Sequence, residues 1–293
     1  MSALTMPCPI CSSQTHALGE LRGAYFKTDF RFRRCPECRF TFVENPSTDF
    51  ARIYDEKYYR GEGADASLDY LNELEHPEES VRVYEWRGVL KAVNALWPLS
   101  AETQWLDFGC GNGGVVRYAR DHSPCRACGF EEGWIADQAR GKGIPILQRG
   151  DLAGQAGQFD VVTAIEVLEH VTDPVACLKE IRALLKPGGL LFFTTGNARP
   201  FRENFFKWGY VLPEIHISYF EPETLERALK AAGFRSAYPR SNPGINDIIR
   251  FKILKKFGWR KHALSEKLLP WPLLSRLAAW HFKIGVHPIG WAV

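Results

Sequence analysis

Leu106-Asp107-Phe108-Gly109-Cys110-Gly111-Asn112-Gly113-Gly114 decides how this chain is read. It is a short apolar strand that ends in an acid and opens into a glycine-rich turn. Glycines at alternate positions let a backbone turn tightly and approach a ligand with no Cβ in the way. The turn predicts a site for a ligand that carries an adenosine. Gly109, Gly111 and Gly114 also satisfy Gly-x-Gly-x-x-Gly, a pattern that serves dinucleotides. Asp107 separates the two, because a carboxylate at the strand tip repels a pyrophosphate but pairs with the ammonium of a methionine moiety. S-adenosylmethionine is therefore expected ahead of a dinucleotide, held by Asp107, Gly109, Cys110, Gly111 and Gly113.

Downstream, strand, turn and helix alternate, which predicts a parallel sheet with helices on both faces. Arg126 to Phe130 is the second strand, and Glu131 and Glu132 follow it. An acid about twenty residues past the glycine turn, at the next strand tip, is where a ribose diol finds its acceptor. Glu131 is the first choice and Glu132 the second. Cys125 and Cys128 fall on opposite faces of a strand and read as packing. Ile144 to Leu147 is the third strand, followed by Gly150-Asp151-Leu152, where Asp151 and Leu152 are candidates for the adenine edge. Phe159 to Ile165 is an apolar run suited to a strand buried on both faces. It ends in the polar cluster Glu166-Val167-Leu168-Glu169-His170. A helix capped by Asp173 and Pro174 follows, Lys186-Pro187-Gly188-Gly189 stops it, and Leu190 to Thr194 is the fifth strand.

The long connection from Thr195 to Glu214 is rich in aromatic residues, and loops of that length in a compact domain are commonly functional. It leads into Ile215-His216-Ile217-Ser218-Tyr219-Phe220, then a helix from Pro222 to Gly233 and a sixth strand over Phe234 to Pro239. Asn246 to Phe282 reads as a helical insertion whose basic residues Arg250, Lys252, Lys255, Lys256, Arg260 and Lys261 form a solvated face. A surface for a partner or a membrane is the other reading of that segment. Ile289 to Val293 is a candidate final strand.

Upstream, Cys8-Pro9-Ile10-Cys11 and Cys35-Pro36-Glu37-Cys38 form two C-P-x-C knuckles. Four thiolates in two tight turns close a tetrahedral shell around zinc and leave no open position, so Cys8, Cys11, Cys35 and Cys38 predict a structural site. Ala24 to Phe32 and Arg39 to Val43 alternate like strands. The expected divisions are a zinc ribbon over 1–44, a helical lid or linker over 45–100, a cofactor-binding core over 101–245, and a helical insertion with a final strand over 246–293. Tyr54, Tyr58, Tyr59 and Tyr70 in the second division either cover the cofactor mouth or join the ribbon to the core.

Composition sets bounds on function. With 45% hydrophobic and 24% charged residues among 293, the chain is an ordinary globular one with a real core. A net charge of +3 argues against a dedicated nucleic-acid binder, whose affinity comes from neutralising phosphates. The first residues carry no signal peptide, and no apolar stretch reaches bilayer length, so a cytoplasmic location is expected.

Taken together, Thr103 to Pro239 resembles the class I S-adenosylmethionine-dependent methyltransferases. The glycine loop, Glu131, the Glu166 to His170 stretch and Lys186-Pro187-Gly188-Gly189 occur in that family's order. Glu-x-x-Glu-His and the later His-x-x-Tyr-Phe resemble the branch with ubiquinone-pathway O-methyltransferases and small-RNA 2′-O-methyltransferases. The ribbon resembles instead zinc-bearing sugar methyltransferases and some ribosomal-RNA methyltransferases. The resemblance implies a doubly wound, Rossmann-like α/β sheet of seven strands, mostly parallel, with the last antiparallel. It implies methyl transfer to an oxygen of a small-molecule acceptor: a sugar, a quinone or a polyketide-like phenol. An RNA methyltransferase is the alternative, and a degenerate cofactor-binding interaction protein the second. Glu166, Glu169, His170, His216 and Tyr219 are the candidate catalytic residues, with Glu166 also beside the cofactor. They are expected to hold a second divalent cation, to supply a general base, or to serve as structure.

Overall fold

The structure is a computed structural model that describes residues 6–65, 68–239, 242–263, 266, 268–274, 277 and 289–292. Each cysteine knuckle closes on itself. Ser12 donates its N–H to the Cys8 carbonyl at 2.9 Å and Arg39 donates to Cys35 at 3.1 Å, both from a left-handed backbone with φ of 61° and 64°. Strands β1 (His16–Arg22) and β2 (Asp29–Arg34) pair antiparallel, and β3 (Thr41–Val43) pairs with β2. The strand expected over Ala24 to Phe32 is interrupted at its start, because Gly23 donates to the Thr28 carbonyl at 2.8 Å and closes a hairpin end there.

Three short helices follow, α1 (Phe50–Ile53), α2 (Glu56–Tyr59) and α3 (Tyr70–Glu75). Asp49, Asp55 and Asp69 cap them by accepting from the backbone N–H groups of Arg52, Tyr58 and Asn72. The longer α4 (Val83–Leu96) leads into the main sheet. There β4 (Gln104–Phe108), β5 (Arg126–Phe130), β6 (Ile146–Leu147), β7 (Phe159–Ile165) and β8 (Leu185–Thr194) are parallel. Helices α5 (Gly114–His122), α6 (Trp134–Gly141), α7 (Arg149–Leu152) and α8 (Pro174–Leu184) connect them. The chain then gives β9 (Ser218–Tyr219), α9 (Pro222–Ala231), β10 (Phe234–Ala237), α10 (Ile245–Lys256) and β11 (Ile289–Ala292). The main sheet has the order β10-β11-β8-β7-β4-β5-β6, with β11 antiparallel to both neighbours.

Successive side chains of a strand face opposite sides, and here both sides are covered. Leu106, Phe108, Phe130, Val162 and Phe193 pack with Leu178 and Ile181 of α8 and Leu225 and Leu229 of α9. Trp105, Ala127, Val161 and Phe192 pack with Trp86 and Val89 of α4 and Val115 and Ala119 of α5. The connections after β4 and after β7 leave in opposite directions along the sheet. A crevice opens at that switch point, beyond the carboxyl ends of the strands.

Two features depart from the sequence reading. The four-stranded sheet of the amino-terminal unit takes its last strand from the core: β9 pairs with β3 through Thr41 opposite Tyr219 and Phe42 opposite Ser218. The Thr224 hydroxyl also donates to the Cys38 carbonyl at 2.5 Å. The helical run expected over Asn246 to Phe282 is shorter. α10 ends at Lys256, and Gly258 turns with φ of 75°; residues 264, 265, 267, 275, 276 and 278–282 of that run lie outside the described residues. α10 lies on α4 at a bare crossing, where a Cβ on Gly244 would collide with the Gly88 carbonyl. That approach brings α10 over the carboxyl ends of the strands.

Candidate active site

The tips of β4, β5, β7 and β8 open on one cavity of 1690 Å³, lined by residues of the glycine loop, the tyrosine-bearing helices, the 195–214 connection and α10. A single small-molecule site takes about 300–1,000 Å³, so this cavity has room for two ligands side by side.

On one side Asp107 is buried at the tip of β4, opposite Thr163 of β7. Trp105 Nε1–H donates to Thr163 Oγ1 at 2.9 Å, and the Thr163 hydroxyl donates to Asp107 Oδ1 at 2.6 Å. Thr163 thus fixes one carboxylate oxygen of Asp107. Burial pushes the Asp107 carboxyl up to about 7. Gly109 has φ of 72°, and a Cβ there would lie 2.7 Å from Val167 Cγ2, so the loop tolerates no side chain at this point. Cys110 and Gly111 line the cavity beside it. Glu131 is the acid that faces inward. Its carboxylate accepts from the N–H groups of Gly111 at 2.8 Å and Glu132 at 2.9 Å, and burial raises its pKa. Glu132 also lines the cavity, but it is exposed and pairs with Arg149 at 2.6 Å.

The tyrosines lie on the cavity wall. Tyr54, Tyr58, Tyr59 and Tyr70 all line it, and a buried network ties their helices to the glycine loop. Asn112 Nδ2 donates to the Tyr70 carbonyl at 2.9 Å and to Glu73 at 3.2 Å. Arg82 reaches Glu73 at 3.2 Å and Glu85 at 2.9 Å, with its guanidinium 4.9 Å above the Tyr70 ring.

Three expected cofactor residues, Asp151, Leu152 and Gly113, and two catalytic candidates, Glu169 and Tyr219, do not line this cavity. Asp151 accepts from the Gln148 N–H at 2.7 Å. β6 ends at Leu147, so Asp151 is the third residue of α7 and caps that helix. Leu152 is buried in the apolar core with Phe130 and Leu178. Gly113, with φ of 76°, is the turn before α5, and its missing Cβ leaves room for Ile144. Tyr219 is buried on β9 and its hydroxyl donates to the His216 carbonyl at 2.6 Å, so it supports that histidine's backbone without reaching the cavity.

The other side holds Glu166, His170 and His216, with Glu169 fully buried outside the lining. Glu166 follows β7 with φ of 55°. The Tyr210 hydroxyl lies between Glu166 Oε2, at 3.0 Å, and Glu169 Oε1, while the Thr195 hydroxyl donates to Glu169 Oε2 at 2.8 Å. One phenol hydrogen serves two carboxyl groups, so the arrangement holds best with a proton on Glu169. Burial and the neighbouring Glu166 push Glu169 up in that direction. Burial opposes ionisation of Glu166 too, but the Lys252 ammonium at 3.3 Å and the Tyr210 hydroxyl outweigh it and hold that carboxyl well below the usual range.

His170 Nδ1 lies 2.9 Å from the Ile215 carbonyl, and His216 Nδ1 lies 2.7 Å from the Tyr210 carbonyl. A carbonyl accepts, so both Nδ1 atoms carry the proton and both Nε2 atoms keep a lone pair. Burial lowers both, His216 to about 3 with His170 beside it as the second cause. Among the described residues Glu169, His170 and His216 bring ligand atoms within 4.8 Å of one another; Glu166 and Tyr219 stand outside that group. In the amino-terminal unit the Cys8, Cys11, Cys35 and Cys38 sulfurs also lie within 4.8 Å of one another, with Cys8–Cys38 and Cys11–Cys35 at 3.5 Å. A tetrahedron of sulfurs about 2.3 Å from zinc has edges of about 3.8 Å, so the four thiols fit that ion.

Sequence reasoning missed Thr163, Tyr210 and Lys252. Tyr210 was visible only as one aromatic in a long loop. No local pattern marks Lys252 as inward-facing.

A family model described as a methyltransferase domain matches residues 80–237. A ubiquinone biosynthesis O-methyltransferase of Bordetella pertussis is 33% identical over 150 residues, 44% of this chain and 60% of that protein. One from Bordetella avium is 38% identical over 160 residues, covering 46% and 62%. The chain thus spans about three fifths of the length of these curated relatives. A solved phosphoethanolamine N-methyltransferase 2 of Haemonchus contortus, in complex with phosphomonomethylethanolamine and S-adenosylhomocysteine, superposes with a TM-score of 0.51. It is 14% identical, and the match covers 94% of this chain and 70% of that one, a likeness of fold. No described helix is long and apolar enough to cross a membrane.

Proposed function

Because this chain belongs to the methyltransferase-domain family, we propose that it transfers the methyl group of S-adenosylmethionine to a hydroxyl oxygen of a small molecule. A quinone-type phenol, the class in its relatives' names, is the first acceptor to try. The observation that carries this reading is one cavity with two unlike halves: a glycine cradle between two acids, and a pair of imidazoles with free Nε2 lone pairs. When bound, S-adenosylmethionine supplies an electrophilic methyl group on a sulfonium. Asp107 pairs with its ammonium, the backbone at Gly109 to Gly111 lies against it, and Glu131 takes the ribose hydroxyls. The fit is supported by the bare Gly109 and by two carboxylates that lack any cationic partner at hydrogen-bond distance among the described residues. Glu131→Gln keeps the shape and loses the charge, so calorimetry should show cofactor affinity lower by about 10- to 100-fold, from roughly 1.5–3 kcal/mol for a hydrogen bond to a charged group. Glu132→Gln should change it little.

A hydroxyl is a weak nucleophile at neutral pH, so its proton must leave. His170 is the base in this reading. Its Nδ1–H is anchored on the Ile215 carbonyl, its Nε2 is free, and burial keeps it neutral. His216, with a pKa of about 3, is too weak a base at neutral pH and orients the acceptor instead. His170→Ala should lose about 10²- to 10⁴-fold in rate with cofactor affinity nearly unchanged, measured with catechol-type acceptors. Full rate in that variant refutes the base.

The convergence of Glu169, His170 and His216 favours a second reading, in which they hold a divalent ion. Two imidazoles and a carboxylate, each imidazole braced by a carbonyl, suit zinc or another transition metal better than magnesium. Such an ion would polarise the acceptor oxygen. Turnover that survives a chelator too weak to strip the ribbon excludes it. The four cysteines take a separate, structural zinc, whose closed shell offers no site for chemistry.

A further inference from the structure

Of the three lysines of α10 that line the cavity, Lys256 is exposed, while Lys252 and Lys255 are half-buried and lie three residues apart, so on one face of the helix. Lys252 Nζ lies 3.3 Å from Glu166 Oε1, and Lys255 Nζ lies 3.4 Å from Asp65 Oδ2. Both side chains are about one-third exposed, 34% and 31%, and both residues line the cavity. An ammonium has three donors. Among the described residues each of these is engaged by one carboxylate, at the long end of the hydrogen-bond range, and Glu166 is shared with Tyr210.

A neutral acceptor that fills the acceptor half of the cavity would strip water from the remaining donors and return nothing, a costly outcome for charged groups. An anionic acceptor would take them up. The imidazoles next to the lysines are neutral and add no competing charge. Lys252 stands beside Glu166, at the reaction centre. Lys255 stands three residues, about 4.5 Å of rise, along the helix from it.

We propose that Lys255, with Lys252, forms an anion subsite, so that the acceptor carries a carboxylate or a phosphate ester about one helical turn from the hydroxyl that is methylated. This rests on the methyl-transfer reading and narrows it to hydroxylated acids or phosphorylated alcohols and phenols.

The test is calorimetry on the full chain, in phosphate-free buffer, with benzoate, phenyl phosphate and neutral benzyl alcohol, each with and without S-adenosylhomocysteine. At least one anion should bind about tenfold or more tighter than benzyl alcohol, the gain of one charged hydrogen bond. Which anion wins tells carboxylate from phosphate. Lys255→Met should erase the preference, Lys255→Arg should keep it, and S-adenosylhomocysteine affinity should be the same in both variants. Equal binding of all three probes, no binding of any, or a preference that survives Lys255→Met overturns the subsite. Failure to bind S-adenosylhomocysteine refutes the methyl-transfer reading instead, and the cofactor-free arm still reports on the anion.

Discussion

Asp107→Asn should weaken S-adenosylmethionine binding by about 10- to 100-fold and yet make the free protein more stable at pH 8. The first effect is the loss of a charge-assisted hydrogen bond to the ammonium. The second follows from burial, which raises the Asp107 carboxyl from its ordinary 3.8 to about 7 in the folded chain. Between those values the folded state binds a proton that the unfolded chain has released. The contribution of this group is therefore fully present below about 4, falls as pH rises towards 7 by at most about 1.4 kcal/mol per pH unit, and is flat above. Asparagine accepts the Thr163 hydroxyl just as well and has no charge to desolvate. Cofactor binding runs the other way: the ammonium needs the ionised acid, so wild-type affinity should fall as pH drops below 7, with a proton released on binding. Calorimetry in buffers of differing ionisation heat reads that proton. A pH-independent affinity shared by wild type and Asp107→Asn would show that the acid does not meet the ligand. Gly109→Val should abolish binding outright, because a β-branched residue resists φ of 72° and its side chain runs into Val167.

Cys35→Ser should release the zinc and unfold more than the ribbon. Structural zinc contributes about 10–16 kcal/mol of apparent binding free energy, as much as the whole stability of a typical domain, so three thiolates will not hold the unit together. The unit is not detachable. β3 carries β9 at its edge, the Cys38 carbonyl takes the Thr224 hydroxyl, and Phe40 packs on Phe220 at 5.2 Å between ring centres. His216 lies two residues before β9. Hydrogen exchange should therefore show lost protection at Ser218 and Tyr219 together with β2 and β3, while β4, β5 and β7 stay protected. Retained protection across β3 and β9 in zinc-free Cys35→Ser would show that the apolar contacts suffice without metal.

Much of this was legible in the order of residues, because it is written in local chemistry. Two cysteines separated by a proline and one residue make a turn wherever they occur, and two such turns predict a shared metal. An apolar strand that runs into Gly109-Cys110-Gly111 needs left-handed backbone that glycine alone adopts without strain. The apolar run of Phe159 to Ile165 reads as a strand covered on both faces, and it is. Glu131 was placed by counting from the glycine turn, since a strand, a helix and a strand of ordinary length return the chain to the same edge. The same kind of counting puts Asp151 near a strand tip, but β6 ends at Leu147, α7 begins at Arg149, and the acid is spent on that helix's cap.

What only the tertiary structure decided is which distant residues meet. The Thr163 hydroxyl reaches Asp107 across 56 positions, Tyr210 spans Glu166 and Glu169 from 44 and 41 positions away, and Lys252 meets Glu166 across 86. None of these pairs has a spacing that repeats in any local structure, so no pattern in the chain announces them. Lys252 and Lys255 read as a solvated basic face because their neighbours in sequence are basic. They point inward because two glycines let α10 settle on α4, a contact between residues 88 and 244 that only the packed fold makes. Sequence alone determined most of the turns and strands of this protein, whose causes lie within a few residues. Side-chain convergence depends on how whole layers pack, and that decided which acids are buried, which carbonyls hold the two histidines and which lysines line the cavity.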